Sequence, residues 1–204
     1  LDNGLRIVGE KMTHLHSVSV GVWVQTGAVK ERTGEEGLSH FIEHMLFKGT
    51  TKRSAQQIAE EMDSIGANIN AFTAREYTCF YIKATDDKLE DAVEMLADLL
   101  RNASLDPVEM EKEKGVVIEE ILMSLDSPED LVQEELGRAF FGDHPYGAPI
   151  VGSQESVSSF KGKTLRDYLM RHYTTGNMVL AVAGNFEEQA LLSLSEKYFG
   201  SALY

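Results

Sequence analysis

The 204-residue sequence lacks the features that mark several large classes of protein. It has a single cysteine, Cys79, so no disulfide bond can form within the chain, and this fits a reducing compartment. No apolar run approaches the roughly 20 residues of a membrane-spanning helix, and no signal peptide is visible. We therefore expect no association with a membrane.

Positive charge is also scarce. The 19 Lys and Arg residues stand against 33 Asp and Glu residues, which gives a formal net charge of −14. Because nucleic-acid binding needs a basic surface, we expect no nucleic-acid partner. Acids that line a cavity would favour basic ligands, whereas acids elsewhere only keep the chain soluble. The length and the 43% hydrophobic content predict one domain, residues 1–204, with a sizeable core.

The spacing of apolar residues predicts five strands and seven helices. The predicted strands lie at residues 5–10, 18–24, 67–73, 77–84 and 177–183. The first helix runs from about residue 38 to 48, and the others lie at residues 55–65, 86–102, 107–124, 127–141, 164–172 and 187–198. Strands joined by short connections favour a mixed, mostly antiparallel sheet with helices on one side, so the predicted fold class is α+β.

Two histidines and a glutamate interrupt the apolar stretch at residues 38–46. On a helix, His40 and His44 point the same way because they are four residues apart, and Glu43 lies beside them. Two imidazoles one turn apart can share a zinc ion, and Glu43 is better placed to take a proton from a zinc-bound water than to be a third ligand. H-x-x-E-H is also the inverted form of the H-E-x-x-H zinc motif. The alternative is a pair of packed or solvated histidines, and a third ligand would argue against it.

A third ligand should come from a helix packed against the first one. The predicted helix at residues 107–124 is rich in acids, and Glu119 and Glu120 lie within its apolar stretch. A carboxylate there would be costly to bury unless it were paired or bound to a metal. Glu113 shares a face with Glu120 at two-turn spacing. Helix geometry alone does not choose between Glu119 and Glu120.

Several ordered motifs resemble those of the pitrilysin family of zinc metalloproteases, which includes insulysin and the mitochondrial processing peptidase. The similar stretches are residues 40–50, 66–78 and 117–121, together with the loop at residues 144–147. Glu120 lies 76 residues beyond His44, at the spacing that the family pattern has for its third zinc ligand. The resemblance covers nearly all of the chain and implies a metallopeptidase half-domain of the pitrilysin type.

The resemblance implies roles around a zinc ion. His40, His44 and Glu120 would be its ligands, and Glu43 would be the general base that activates water. Glu113 would support the site from outside the ligand set, either by orienting His44 or by keeping the site polar, as carboxylates behind metal-binding histidines do.

The resemblance also implies a place for the substrate. The strand that contains Asn70, Ala71 and Phe72 would bind an extended peptide by strand addition, so that backbone hydrogen bonds hold the peptide at the metal. The alternatives are that Asn70 is a turn residue and that Phe72 belongs to the core.

Enzymes of this family usually combine two related halves of about this size that close around a peptide. Only the zinc-bearing half is visible in this sequence, so we expect the N-terminal catalytic domain of a longer protease, acting with a second homologous domain or subunit or as a homodimer. The expected function is zinc-dependent cleavage of peptides, with basic peptides favoured by the acidic charge. The alternatives are a half that is inactive alone and a non-catalytic structural subunit. The expected compartment is the bacterial cytoplasm, or alternatively the mitochondrial matrix.

Overall fold

The computed structural model describes residues 1–201 and 203. The strands are β1 (Arg6–Lys11), β2 (Ser17–Val24), β3 (Asn68–Thr73), β4 (Thr78–Thr85) and β5 (Met178–Gly184). The α-helices are α1 (Leu38–Leu46), α2 (Ala55–Ser64), α3 (Leu89–Asn102), α4 (Pro107–Asp126), α5 (Pro128–Phe141), α6 (Gln154–Ser159), α7 (Gly162–His172) and α8 (Glu188–Phe199). Short 3-10 helices lie at Ala28–Lys30, Asp86–Lys88, Pro145–Gly147 and Thr175–Asn177. Among these helices, none is long and apolar enough to cross a membrane.

The structure confirms every predicted strand and helix, with ends that differ by a residue or two. Two details differ from the prediction. The helix predicted at residues 86–102 begins with a 3-10 turn, and the six-residue helix α6 was not predicted. A helix of this length shows too little periodicity to be recognised, although a capping box at Ser153 fixes its start.

All five strands form one mixed sheet in the order β1-β5-β2-β4-β3. β1 and β5 are parallel, and the other three pairings are antiparallel, which confirms the predicted sheet type. β5 comes late in the chain but lies between β1 and β2. β3 is an edge strand, so one side of its backbone has no partner strand within residues 1–201 and 203.

The two faces of the sheet differ because successive side chains point to opposite sides. Along β2, Val18, Val20, Val22 and Val24 are buried beneath the helices, whereas Trp23 is 37% exposed on the other face. The same alternation occurs along β3, β4 and β5. Helices therefore cover one face and form the core there, and no described helix packs over the centre of the second face, called here the open face.

Helix α1 lies within this core. It begins after Gly37, whose left-handed backbone (φ 86°) favours glycine. The ring of Phe41 lies 5.4 Å from that of Phe160, centroid to centroid. All five large apolar side chains of α1 are fully buried: Leu38, Phe41, Ile42, Met45 and Leu46. This packing fixes the position of the helix and leaves one polar side, which carries His40, Glu43 and His44.

Candidate metal centre

Helices α1 and α4 bring together the three residues expected to bind zinc. The Nε2 atoms of His40 and His44 lie 3.2 Å apart. One carboxylate oxygen of Glu120 lies 3.6 Å from Nε2 of His40, and the other lies 3.6 Å from Nε2 of His44. Glu119, the other candidate, is exposed on α4 and does not belong to this cluster. The geometry therefore favours Glu120.

The spacing of these atoms fits a tetrahedral zinc site. Zinc-ligand distances of about 2.0–2.2 Å place neighbouring ligands of a tetrahedron roughly 3.3–3.6 Å apart. The two nitrogens are 3.2 Å apart, and each lies 3.6 Å from one Glu120 oxygen, a different oxygen for each nitrogen, so these separations are close to that range. Two imidazoles and a carboxylate are also a common donor set for catalytic zinc. The residues present thus fit zinc and leave a fourth position for water or substrate.

The protonation of the histidines suits metal binding. Nδ1 of His44 lies 2.8 Å from an oxygen of Glu113, and a carboxylate acceptor keeps the proton on Nδ1 and leaves Nε2 free. Burial, together with the neighbouring His44, lowers the pKa of His40 to about 4, so its ring is neutral at pH 7. Both rings can therefore offer a lone pair to a cation.

Glu43 lies beside the cluster and outside the ligand set. Its Oε2 accepts a 2.5 Å hydrogen bond from the hydroxyl of Thr73, the last residue of β3. Burial raises the pKa of Glu43, although this hydrogen bond opposes the shift. A carboxylate held next to the metal position can act as a base. The sequence did not point to Thr73, because only the sheet register brings it to Glu43.

The edge of β3 offers backbone groups near this carboxylate. Ala74 donates a backbone hydrogen bond to Tyr77, and in an antiparallel pair every second residue bonds to the partner strand. The N–H and C=O groups of Ala71 and Thr73 therefore point away from β4, toward the free edge. The outward N–H of Ala71 is occupied by the side-chain oxygen of Asn70 at 2.8 Å.

The side chains of the predicted peptide-binding strand lie on two faces. Asn70 and Phe72 are exposed on the open face, opposite to the face that carries Glu43, whereas Ala71 faces the helices and is partly buried. The alternative that Asn70 is a turn residue is wrong because it lies within β3, and the alternative that Phe72 is a core residue is wrong because its side chain is exposed. The side chains of Asn70 and Phe72 therefore point away from the metal position, and what these residues could offer a peptide at the sheet edge is backbone.

The loop at residues 144–147 packs against the β3–β4 turn. The Tyr146 hydroxyl donates to Glu76, and Arg75 donates to the carbonyl oxygen of Ala148 at 2.8 Å. The loop thus contacts the turn that follows β3, and none of its side chains belongs to the His40–His44–Glu120 cluster.

Comparison with known proteins identifies the family. Residues 6–154 match the family described as Insulinase (Peptidase family M16). The chain belongs to this family. Residues 159–203 match a second description, Peptidase M16 inactive domain. The resemblance to the pitrilysin family is thereby confirmed.

Two relatives illustrate how much of an M16 protein this chain represents. It is 45% identical over 199 residues to the protein named Uncharacterized zinc protease YmxG of Bacillus subtilis, covering 98% of this chain and 48% of the relative. It is 43% identical over 203 residues to an uncharacterized zinc protease of Mycobacterium leprae, covering 100% of this chain and 46% of that protein. The chain spans about half the length of the curated relatives that it matches.

A solved structure gives the same picture. The crystal structure of a protease from Helicobacter pylori superposes with a TM-score of 0.94 at 26% identity, covering 99% of this chain and 49% of that one. The fold is therefore that of an M16 peptidase. The two relatives described above are both named as zinc proteases.

Proposed function

We propose that residues 1–204 form the zinc-bearing catalytic domain of an M16 endopeptidase, with His40, His44 and Glu120 as ligands. The observation that carries this proposal is the convergence of three ligand atoms within 4.8 Å of one another. A bound zinc ion would polarise the scissile carbonyl group and make water a better nucleophile.

Glu43 is the proposed general base. Its carboxylate would take a proton from the attacking water and deliver it to the leaving amine. Thr73 supports this role because its hydroxyl holds one oxygen of Glu43 at 2.5 Å and so limits the rotation of the carboxylate. Because Thr73 ends the edge strand β3, the base lies next to the place where an added peptide strand would run.

The proposed substrate is an extended peptide, bound by strand addition to β3. The free edge and the outward backbone groups of Ala71 and Thr73 support this mode. The peptide would displace the Asn70 side chain from the Ala71 N–H. The net charge of −14 supports a preference for basic peptides.

A second homologous half is the proposed partner, because the chain spans about half of its relatives. The open face of the sheet offers this second half a surface on which Trp23, Phe72 and Tyr77 form an exposed aromatic cluster. The ring centroid of Trp23 lies 5.8 Å from that of Phe72 and 5.1 Å from that of Tyr77.

Trp23 is the only tryptophan of the chain, so its fluorescence reports on this surface. Addition of the second half should shift its emission to shorter wavelength, and an unchanged spectrum in a complex that forms would place the interface elsewhere. A homodimer of this chain would give the shift without any added half.

Hydrolysis of quenched peptides by the zinc-loaded chain, with and without the second half, tests the function. We expect cleavage that a chelator and Glu43→Gln both abolish, and faster cleavage of a basic peptide than of an acidic one of equal length. Cleavage that survives Glu43→Gln would contradict the proposed base, and equal rates for the two peptides would contradict the charge preference. Zinc binding without cleavage in either arrangement would favour the non-catalytic structural subunit.

A further inference from the structure

We propose that Lys48 is a positioning residue for the metal centre, which it serves by holding Glu113 in the orientation that fixes His44. This inference rests on the proposed zinc site. Nζ of Lys48 lies 2.7 Å from Oε2 of Glu113, and Oε1 of the same carboxylate lies 2.8 Å from Nδ1 of His44. One carboxylate thus joins the lysine to a proposed zinc ligand.

The surroundings of Glu113 explain why a second partner is needed. Its side chain is only 5% exposed, so water cannot replace a lost contact fully. A buried carboxylate is costly unless both of its oxygens are paired. With Lys48 on one oxygen, the carboxylate plane is fixed and the other oxygen faces His44. Without Lys48, the carboxylate would be free to rotate and the imidazole would lose its fixed acceptor.

The main chain holds Lys48 in place for this contact. α1 ends at Leu46, two residues before Lys48. The carbonyl oxygen of the next residue, Gly49, accepts two hydrogen bonds from Ser104. One comes from the backbone N–H of Ser104 (3.0 Å) and the other from its side-chain hydroxyl (3.1 Å). The chain is therefore anchored just after Lys48, and the lysine side chain is directed toward α4 from a fixed backbone.

Lys52 provides a matched control. It lies four residues further along, and it also pairs with carboxylates, at 3.8 Å from Glu94 and 3.4 Å from Asp98. Its side chain is 57% exposed, compared with 31% for Lys48, and its partners are not in the metal cluster. Lys52→Met removes a lysine and an ion pair from the same segment without touching the path to His44.

The test measures zinc affinity by competition with a chromophoric chelator, and the geometry of the site by the visible absorption of the cobalt(II) form. Because outer carboxylates of metal-bound histidines contribute roughly 10–100-fold to metal affinity, we expect Lys48→Met to weaken zinc binding about 10-fold and to alter the cobalt spectrum. Lys52→Met should change neither. Lys48→Arg keeps a charged donor and should weaken zinc binding less than Lys48→Met.

A double variant tests the path itself. In a Glu113→Ala background, Lys48→Met should weaken zinc binding no further, because the lysine acts through that carboxylate. Three results would overturn the proposal for Lys48 while leaving the zinc site intact. They are a wild-type zinc affinity in Lys48→Met, equal losses of zinc affinity in Lys48→Met and Lys52→Met, and a loss from Lys48→Met that stays undiminished in the Glu113→Ala background. A wild-type chain that binds no zinc would instead overturn the metal centre, and the role of Lys48 with it.

Discussion

The packing beneath α1 can be tested with the substitution Phe41→Ala. Phe41 follows His40 directly, is fully buried, and contacts Phe160 with ring centroids 5.4 Å apart. Its removal leaves a cavity under the helix that carries both histidines. We expect the chain to lose stability and α1 to shift, so that zinc binds more weakly as well.

The size of the effect follows from the burial. Loss of a fully buried phenylalanine removes about 1.5–3 kcal/mol of transfer free energy, and the cavity term brings the total to about 3–5 kcal/mol. In a chain of this size each kcal/mol lowers the melting temperature by roughly 2–4 °C, so the expected decrease is roughly 6–20 °C. Urea unfolding of the metal-free chain measures the loss in free energy of unfolding, and thermal melting measures the decrease in melting temperature.

Phe140→Ala is the matched control, since Phe140 on α5 is 78% exposed. A surface substitution of this kind should change the free energy of unfolding by no more than about 0.5 kcal/mol. Equal losses in the two variants, or a loss below about 1 kcal/mol for Phe41→Ala, would refute the reasoning that the core beneath α1 supports the metal centre.

Three further outcomes are expected. Glu120→Ala should greatly lower zinc occupancy measured by mass spectrometry under native conditions, and Glu119→Ala should leave it unchanged; the reverse result would reassign the third ligand. In the enzyme assembled from both halves, Thr73→Val should lower kcat by roughly 10-fold or more with little change in KM, because a hydrogen bond to a charged group contributes about 1.5–3 kcal/mol. A change confined to KM would contradict the proposed role of Thr73 at Glu43. Burial raises the pKa of Glu31 from 4.5 to about 7. Between these pH values the folded chain therefore keeps a proton that the unfolded chain releases, which lowers the free energy of unfolding as the pH rises. The stability of the metal-free chain should fall more steeply from pH 4.5 to 7 than the stability of the Glu31→Gln variant. Parallel stability curves for the two proteins would show that Glu31 does not titrate in this range.

The sequence predicted those parts of the structure that depend on local pattern. The alternating valines of β2 and the apolar face of α1 both follow from a short repeat along the chain. Pro107 lies in the first turn of α4, where proline is tolerated, and the structure adds that the side chain of Asp106 caps the helix. These signals fixed the elements and their ends.

The sheet order was beyond such reasoning. β5 inserts between β1 and β2 although well over a hundred residues separate it from both. Pairing of this kind is decided by the packing of the whole core, and no local period encodes it. The open face, by contrast, agrees with the predicted layout, in which the helices pack on one side of the sheet.

The candidate site divides in the same way. His40, Glu43 and His44 lie on one helix, so their common face was evident from spacing alone. Choosing Glu120 as the third ligand required either the family pattern or the packing of α1 against α4, because the spacing of residues on α4 did not distinguish Glu120 from Glu119. The contacts of Lys48 and Thr73 were missed, since the first joins the segment after α1 to α4 and the second joins a strand to a helix. Glu31, whose carboxylate accepts hydrogen bonds from the backbone N–H groups of Gly37 and Ser39 at the start of α1, was missed for the same reason.

Anomalous diffraction at the zinc absorption edge, from crystals of the zinc-loaded chain, tests the central claim most directly. The account predicts one peak per chain, about 2.0–2.2 Å from Nε2 of His40, Nε2 of His44 and a carboxylate oxygen of Glu120. A peak coordinated by other residues, or the absence of a peak at this cluster in crystals grown with excess zinc, would contradict it.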